Sequence, residues 1–263
     1  MEPILTAEAA PVLRALARRR ALLAFDLDGT LAPLVADPAA AGLRPETRRL
    51  LRVLALLAPC AVLSGRRRAD AARRLEGIPL VAVVGGHGSE PGFGPLDAGL
   101  RAQVAGWRER VAAVLAALPG VRLEDKGLSL ALHHRGAGAP HALRRRLVGL
   151  ASALPGARVL LGRDVVQVLP EEAPDKGRAL EALLRREELE TALYVGDDPS
   201  DEDAFRAEGV AVGVRVGRSA RSAARWYLAS QADVDALLRA LIAARAAEDG
   251  RADRAAALEA ALR

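Results

Sequence analysis

The chain is short of cysteine, lysine and aromatic residues, and each shortage excludes something. Cys60 is the one cysteine in 263 residues, so no internal disulfide can form. It follows Pro59 and opens the apolar run Ala61-Val62-Leu63, which reads as a small buried strand residue rather than a catalytic thiol. Aromatic residues make up 3% of the chain, too few for a platform on which nucleic-acid bases would stack. No uninterrupted apolar run reaches eighteen residues, the length expected of a membrane-spanning helix. The opening Met1-Glu2-Pro3-Ile4 has neither the basic region nor the apolar core of a secretory signal. These absences lead to the expectation of a cytoplasmic protein.

What is present is apolar and basic. Hydrophobic residues make up 51% of the chain, ample for one large domain or two modest ones. The net charge is +5 and the isoelectric point about 10.2. Such a balance raises the possibility of nucleic acid, but the arginines are scattered over helical segments and mixed with Glu and Asp. No nucleic-acid or membrane partner is therefore expected, and the chain is expected to be a monomer. Lysine occurs only at Lys126 and Lys176. Arginine is a planar fork and lysine a compact point charge. A chain so poor in lysine that keeps two marks both as candidates for a role needing the ammonium itself.

Strands alternate with helices at both ends of the chain. Glu8 to Arg20 has helical apolar spacing, and Ala21 to Phe25 reads as a buried strand ending in Asp26. Arg44 to Leu57 reads as a helix with Pro45 in its first turn. Cys60 to Leu63 and Leu80 to Val84 read as strands, with a helix from Arg67 to Leu75 between them. After the breaker cluster Pro91-Gly92-Phe93-Gly94-Pro95, a plausible hinge, the grammar changes. A long helix, Leu100 to Leu118, precedes the strands Val121–Lys126 and Ser129–Arg135. A second helix, His141 to Leu154, precedes a strand pair around Gly162-Arg163-Asp164. The alternation then resumes with a helix from Lys176 to Arg186, a strand from Ala192 to Val195 and a last core strand from Val210 to Val214. The tail from Val234 onwards reads as helix. The expected fold class is α/β, a parallel-sheet core with helices on both faces, formed by residues 1–95 and 170–263. A small α+β cap, residues 96–169, is inserted into it.

Chemistry-bearing residues fall just past the strand ends, where ligands bind in open parallel sheets. Asp26 and Asp28 leave one strand, Gly29 frees the loop and Thr30 offers a hydroxyl. Ser64 follows a second strand, Lys176 starts a helix, and Asp197 and Asp198 follow another strand. Phosphate-ester cleavage needs such a set. A carboxylate, Asp26, can attack phosphorus. Magnesium, which prefers oxygen ligands, can bridge carboxylate and phosphate on Asp26, Asp197 and the Asp28 carbonyl. Asp28 can protonate the leaving alcohol and then activate water. Ser64, Thr30 and Lys176 can hold the phosphoryl oxygens. Each piece alone has a plainer reading as turn, cap or surface chemistry. Their joint appearance in this order weakens it.

Phe25 to Leu31, Ser64, Lys176 and Gly196-Asp197-Asp198 resemble the four motifs of the haloacid dehalogenase-like phosphatases. Asp28 to Pro33 with Asp37-Pro38, Ser64-Gly65-Arg66, Gly86 to Glu90 and Gly196 to Phe205 are similar to the trehalose-6-phosphate phosphatases in particular. So are Glu124 to Ser129 and His133-His134-Arg135 in the cap. The resemblance implies a Rossmann-like core with a cap and hydrolysis of trehalose 6-phosphate with Mg2+. It implies Asp26 as nucleophile, Asp28 as acid/base, and Asp26, Asp28, Asp197 and Asp201 as the metal set. Gly65, Arg66, His87, Gly88, Glu124, Lys126, Arg135 and Gln167 are the expected substrate contacts. The family commonly has Glu-x-Arg-Pro where this chain has Gln167-Val168-Leu169-Pro170, and often Asn at His87. The exact sugar is thereby left open. A related sugar phosphate or glucosylated polyol phosphate, or a non-catalytic sugar-phosphate-binding module, stands as an alternative.

Overall fold

The computed structural model describes residues 1–35, 37, 40–92, 97–135, 140–162 and 164–248. Pro38 of the quoted motif, Phe93 to Pro95 of the hinge cluster, the turn residue Arg163 and the tail from 249 lie outside the described residues. The chain divides into two compact units, Met1–Gly92 with Asp175–Arg263, and Phe93–Pro174. The second boundary falls beyond the expected 169. The Glu171 amide donates to the Gly156 carbonyl at 2.9 Å and Ala173 to Pro170 at 3.1 Å, so these residues stay with the second unit.

In the first unit the strands are β1 (Glu2–Pro3), β2 (Ala21–Phe25), β3 (Cys60–Leu63) and β4 (Ala82–Val84). Its helices up to that point are α1 (Ala10–Ala17), α2 (Pro45–Leu57) and α3 (Arg68–Arg74). The second unit holds α4 (Ala98–Leu115), β5 (Arg122–Asp125), β6 (Leu130–His133), α5 (Pro140–Ser152), β7 (Ala157–Gly162) and β8 (Val165–Pro170). The first unit then resumes with α6 (Lys176–Arg186), β9 (Thr191–Gly196), α7 (Asp201–Phe205), β10 (Val210–Val216), β11 (Trp226–Leu228) and α8 (Val234–Glu248).

The seven strands of the first unit run in the order β1-β11-β10-β9-β2-β3-β4, every pair parallel. All five residues of β2 are buried, as a parallel strand covered on both faces requires. Ala21, Leu23 and Phe25 share a core with α1, α2 and α8. Tyr194 of β9 faces the other way, its ring edge-on to Phe205 of α7 at 5.7 Å. Pro45 sits at the start of α2, where its missing N–H costs nothing. From β2 the chain steps to β3 and β4 on one side, while β9 and β10 step to the other. That reversal puts the switch point, where such sheets hold ligands, at the carboxyl ends of β2 and β9.

The expectation that Val210–Val214 is the last core strand is corrected by β11, which pairs with β10 and β1. Trp226–Leu228 is three residues long, too short to show a period.

In the second unit the sheet order is β5-β6-β8-β7, all antiparallel. Leu130, Leu132, Val166 and Val168 form a core with Val104, Trp107 and Val111 of α4 and with Leu147 of α5. By strand alternation Ala131, His133 and Gln167 stand on the opposite face. Glu124 pairs with Ala131, and Ala131 with Gln167, so the three form one row.

Candidate active site

β2 ends at Phe25 and delivers Asp26 to the rim, its amide donating to the Val195 carbonyl of β9 at 2.8 Å. This bond ties the two strand ends at the switch point. Gly29 follows at φ +88, and a Cβ there would lie 2.1 Å from Asp197 Oδ2. Both the backbone sign and the close approach demand glycine. The same turn places the Thr30 hydroxyl, which donates to Asp197 Oδ1 at 3.0 Å.

Lys176 opens α6, whose N-terminus is capped by Asp175 accepting from the Arg178 amide at 2.8 Å. The Lys176 side chain is 1% exposed and donates to Asp26 Oδ1 and Asp201 Oδ1, each at 2.7 Å. Asp201 Oδ1 also accepts from the buried Tyr194 hydroxyl at 2.7 Å, and Oδ2 from the Asp198 amide at 2.8 Å. Oxygens of Asp26, Asp197 and Asp201 lie within 4.8 Å of one another. Ionised, the three carry a charge of −3, and Lys176 supplies +1. A divalent cation held by these oxygens would offset the remaining −2. The donors are all oxygen, which suits a hard ion such as magnesium. Because Asp201 spends both oxygens on protein donors, it supports the set from behind while Asp26 and Asp197 are better placed as ligands.

Burial pushes the Asp26 carboxyl well above its ordinary range. Asp201 and Asp197 act the same way, while Lys176 opposes them. Burial, followed by the charge of Asp201, pushes Asp197 up to about 7. A cation among these carboxylates reverses that pressure.

Ser64 follows β3 and is buried. Its Oγ accepts from the Arg66 amide at 3.1 Å. His87 follows β4 in the short turn Gly86–Gly88 and adopts φ +58. A Cβ at Gly65 would lie 2.3 Å from His87 Cε1, so the imidazole lies directly on the Gly65 backbone. A Cβ at Gly88 would lie 2.2 Å from the Asp175 carbonyl, so that turn abuts the start of α6.

Arg66 lies along Asp28: Nε donates to Oδ2 at 2.6 Å and Nη2 to Oδ1 at 2.8 Å. The sequence placed each residue at its strand end but held no sign that the two would meet. Nor did it single out Tyr194, whose only signal was a hydroxyl-bearing aromatic in a buried strand.

Within the second unit, Glu124 Oε2 lies 2.7 Å from His133 Nε2. That contact, against the opposing effect of burial, brings the Glu124 carboxyl down to about 2. Lys126 Nζ donates to Gln167 Oε1 at 3.5 Å. Arg135 Nε lies 3.4 Å from Asp164 Oδ2. Glu124 is thus paired with His133 and Lys126 with Gln167, while the Arg135 side chain reaches Asp164.

A family model described as Trehalose-phosphatase matches residues 24–230. The trehalose-phosphate phosphatase of Mycobacterium tuberculosis (strain CDC 1551 / Oshkosh) is 34% identical over 212 residues, which cover 74% of this chain and 53% of that protein. The chain spans about half the length of the curated relatives it matches. Among solved structures, the C-terminal domain of C. albicans trehalose-6-phosphate phosphatase aligns with a TM-score of 0.74 at 24% identity, covering 93% of this chain and 98% of that one. An Aspergillus fumigatus trehalose-6-phosphate phosphatase aligns at 0.61 with 27% identity, covering 92% and 98%. The first likeness establishes the fold.

Proposed function

Because this chain belongs to the trehalose-phosphatase family, we propose that it hydrolyses trehalose 6-phosphate to trehalose and phosphate at the rim formed by β2 and β9. The observation that carries the reading is the cluster of Asp26, Asp197 and Asp201, two of them buried on the Lys176 ammonium. Structural support has no need of so many desolvated charges at one strand end.

In this reading Asp26 attacks phosphorus, the sugar oxygen leaves with a proton from Asp28, and Asp26 becomes an aspartyl phosphate. Water then attacks phosphorus, gives its proton to Asp28, and the Asp26 carboxylate is released. Lys176, Thr30 and Ser64 bind and orient the phosphoryl group. Asp26, Asp197 and the Asp28 carbonyl would hold magnesium, with Asp201 behind them. Bound there, magnesium offsets the repulsion between carboxylate and phosphate. The second unit is the substrate cap, with Glu124, Lys126, Arg135 and Gln167 on the disaccharide.

A related sugar phosphate is the second reading, favoured by the Lys126–Gln167 contact. A neutral amide there binds hydroxyls without the charge of the family's glutamate. The test is phosphate release from a panel of esters in magnesium, compared as kcat/KM. Trehalose 6-phosphate should head a panel that includes glucose 6-phosphate and glucosylglycerol phosphate. Another ester well ahead of it would overturn the main reading in favour of the second.

A further inference from the structure

Phosphoryl transfer as set out above leaves the Asp70 carboxylate without a part. It lies in the first turn of α3, four residues after Arg66. Two nitrogens of the Arg66 guanidinium are on Asp28, at 2.6 and 2.8 Å. The third, Nη1, donates to Asp70 Oδ2 at 2.9 Å. Asp70 is itself held, accepting from Arg74 Nε at 3.2 Å and Arg73 Nη2 at 3.1 Å. The Arg66 backbone is fixed as well, its amide on Ser64 Oγ at 3.1 Å and its carbonyl accepting from the Gly86 amide at 2.7 Å. A guanidinium is flat, so fixing one edge aims the other. The three side chains are 16%, 28% and 29% exposed for Arg66, Asp28 and Asp70, which sets them apart from freely solvated surface pairs.

We propose that Asp70 is a positioning residue for proton transfer: through Arg66 it sets where the Asp28 carboxyl stands. The inference rests on the reading of Asp28 as the proton carrier. An Arg66 anchored by Asp70 keeps its other edge, two parallel donors, facing the Asp28 carboxyl.

Leaving groups of different basicity separate this role from mere support. When trehalose 6-phosphate loses its sugar, the P–O bond breaks as the Asp26 Oδ–P bond forms, and the sugar oxygen must take a proton from Asp28. With p-nitrophenyl phosphate the nitrophenolate departs without one. The experiment is single-turnover release of each leaving group by native protein, Asp70→Asn and Asp28→Asn, with magnesium and at a temperature below the melting range of every protein. Asp70→Asn should slow release of trehalose by roughly tenfold, a fraction of the full general-acid effect. It should leave nitrophenolate release near the native rate, with KM for both esters unchanged. Asp70→Ser, which also removes the carboxylate that holds Arg66 Nη1, should show the same selectivity and carries the test if Asp70→Asn melts early. Equal slowing of both esters in Asp70→Asn and Asp70→Ser, or no slowing in either, overturns the positioning role. If Asp28→Asn shows no selectivity while native protein turns over both esters, the assignment of Asp28 is wrong, and the inference falls with it. Native protein that turns over neither ester overturns the phosphatase reading and the positioning role together.

Discussion

Two buried carboxylates, Asp26 and Asp201, share one ammonium, with Asp197 beside them, and the balance of charge there governs what single substitutions do. Lys176→Ala leaves Asp26 and Asp201 buried without their cation. The expected loss is about 3–5 kcal/mol in metal-free protein, measured by denaturant unfolding, with magnesium recovering part of it. A metal-free variant as stable as native would contradict this charge balance. Asp70 is tested through acid. Burial works to raise its carboxyl, but hydrogen bonds from Arg66, Arg74 and Arg73 bring it down to about 2 from 3.8. A depressed folded value gives stability that is present above 3.8 and is lost as the pH falls through about 2. The melting difference between native protein and Asp70→Asn should therefore be full at neutral pH and fade across that window. At this scale the sequence marked the strand-end residues well. Lys176 stood out because lysine is scarce, and Asp26 because its run is distinctive. Pairings made through space, such as Arg66 with Asp28 and Tyr194 with Asp201, left no local pattern to read.

Elements matter here through how they end. The start of α6 places Lys176, and the Gly86–Gly88 turn lies against it. Gly88 combines φ +116 with a Cβ position 2.2 Å from the Asp175 carbonyl. Gly88→Ala must strain the turn or push α6 away. A loss of about 1–3 kcal/mol is expected in thermal unfolding, together with reduced turnover. Unchanged melting and turnover would show that the turn does not set the position of α6. The bounds of α6 were legible from Lys176 to Arg186, because a cap residue and a clean helical period coincide there. The strand β2 was equally legible, as an apolar run ending in acid. β1 and β11 were missed, since runs of two or three residues carry no period.

At the scale of the molecule, alternating strands and helices announced a parallel sheet, but not its strand order. The order follows from pairings between distant segments, and it is the order that locates the switch point between β2 and β9. The insertion of a second α+β unit was visible as a change of grammar. Its far boundary was not, because the Glu171–Gly156 bond that holds it spans fifteen residues. If the carboxylate cluster of the first unit takes magnesium, the ion stabilises the native state by mass action. At a hundred times its dissociation constant the gain is about 2.7 kcal/mol. Melting should rise with added magnesium and fall back with a chelator, and the Asp197→Asn variant should respond far less. A native protein whose melting ignores magnesium would count against the site.

Everything proposed for the chemistry turns on Asp26. Phosphate release from trehalose 6-phosphate, in magnesium, by native protein and by Asp26→Asn at matched melting temperature tests it most directly. Native protein should release phosphate steadily, and the variant should fall by at least roughly a thousandfold, as removal of a covalent nucleophile does. A folded Asp26→Asn variant that keeps the native rate, or a folded native protein that releases no phosphate, would contradict the assignment.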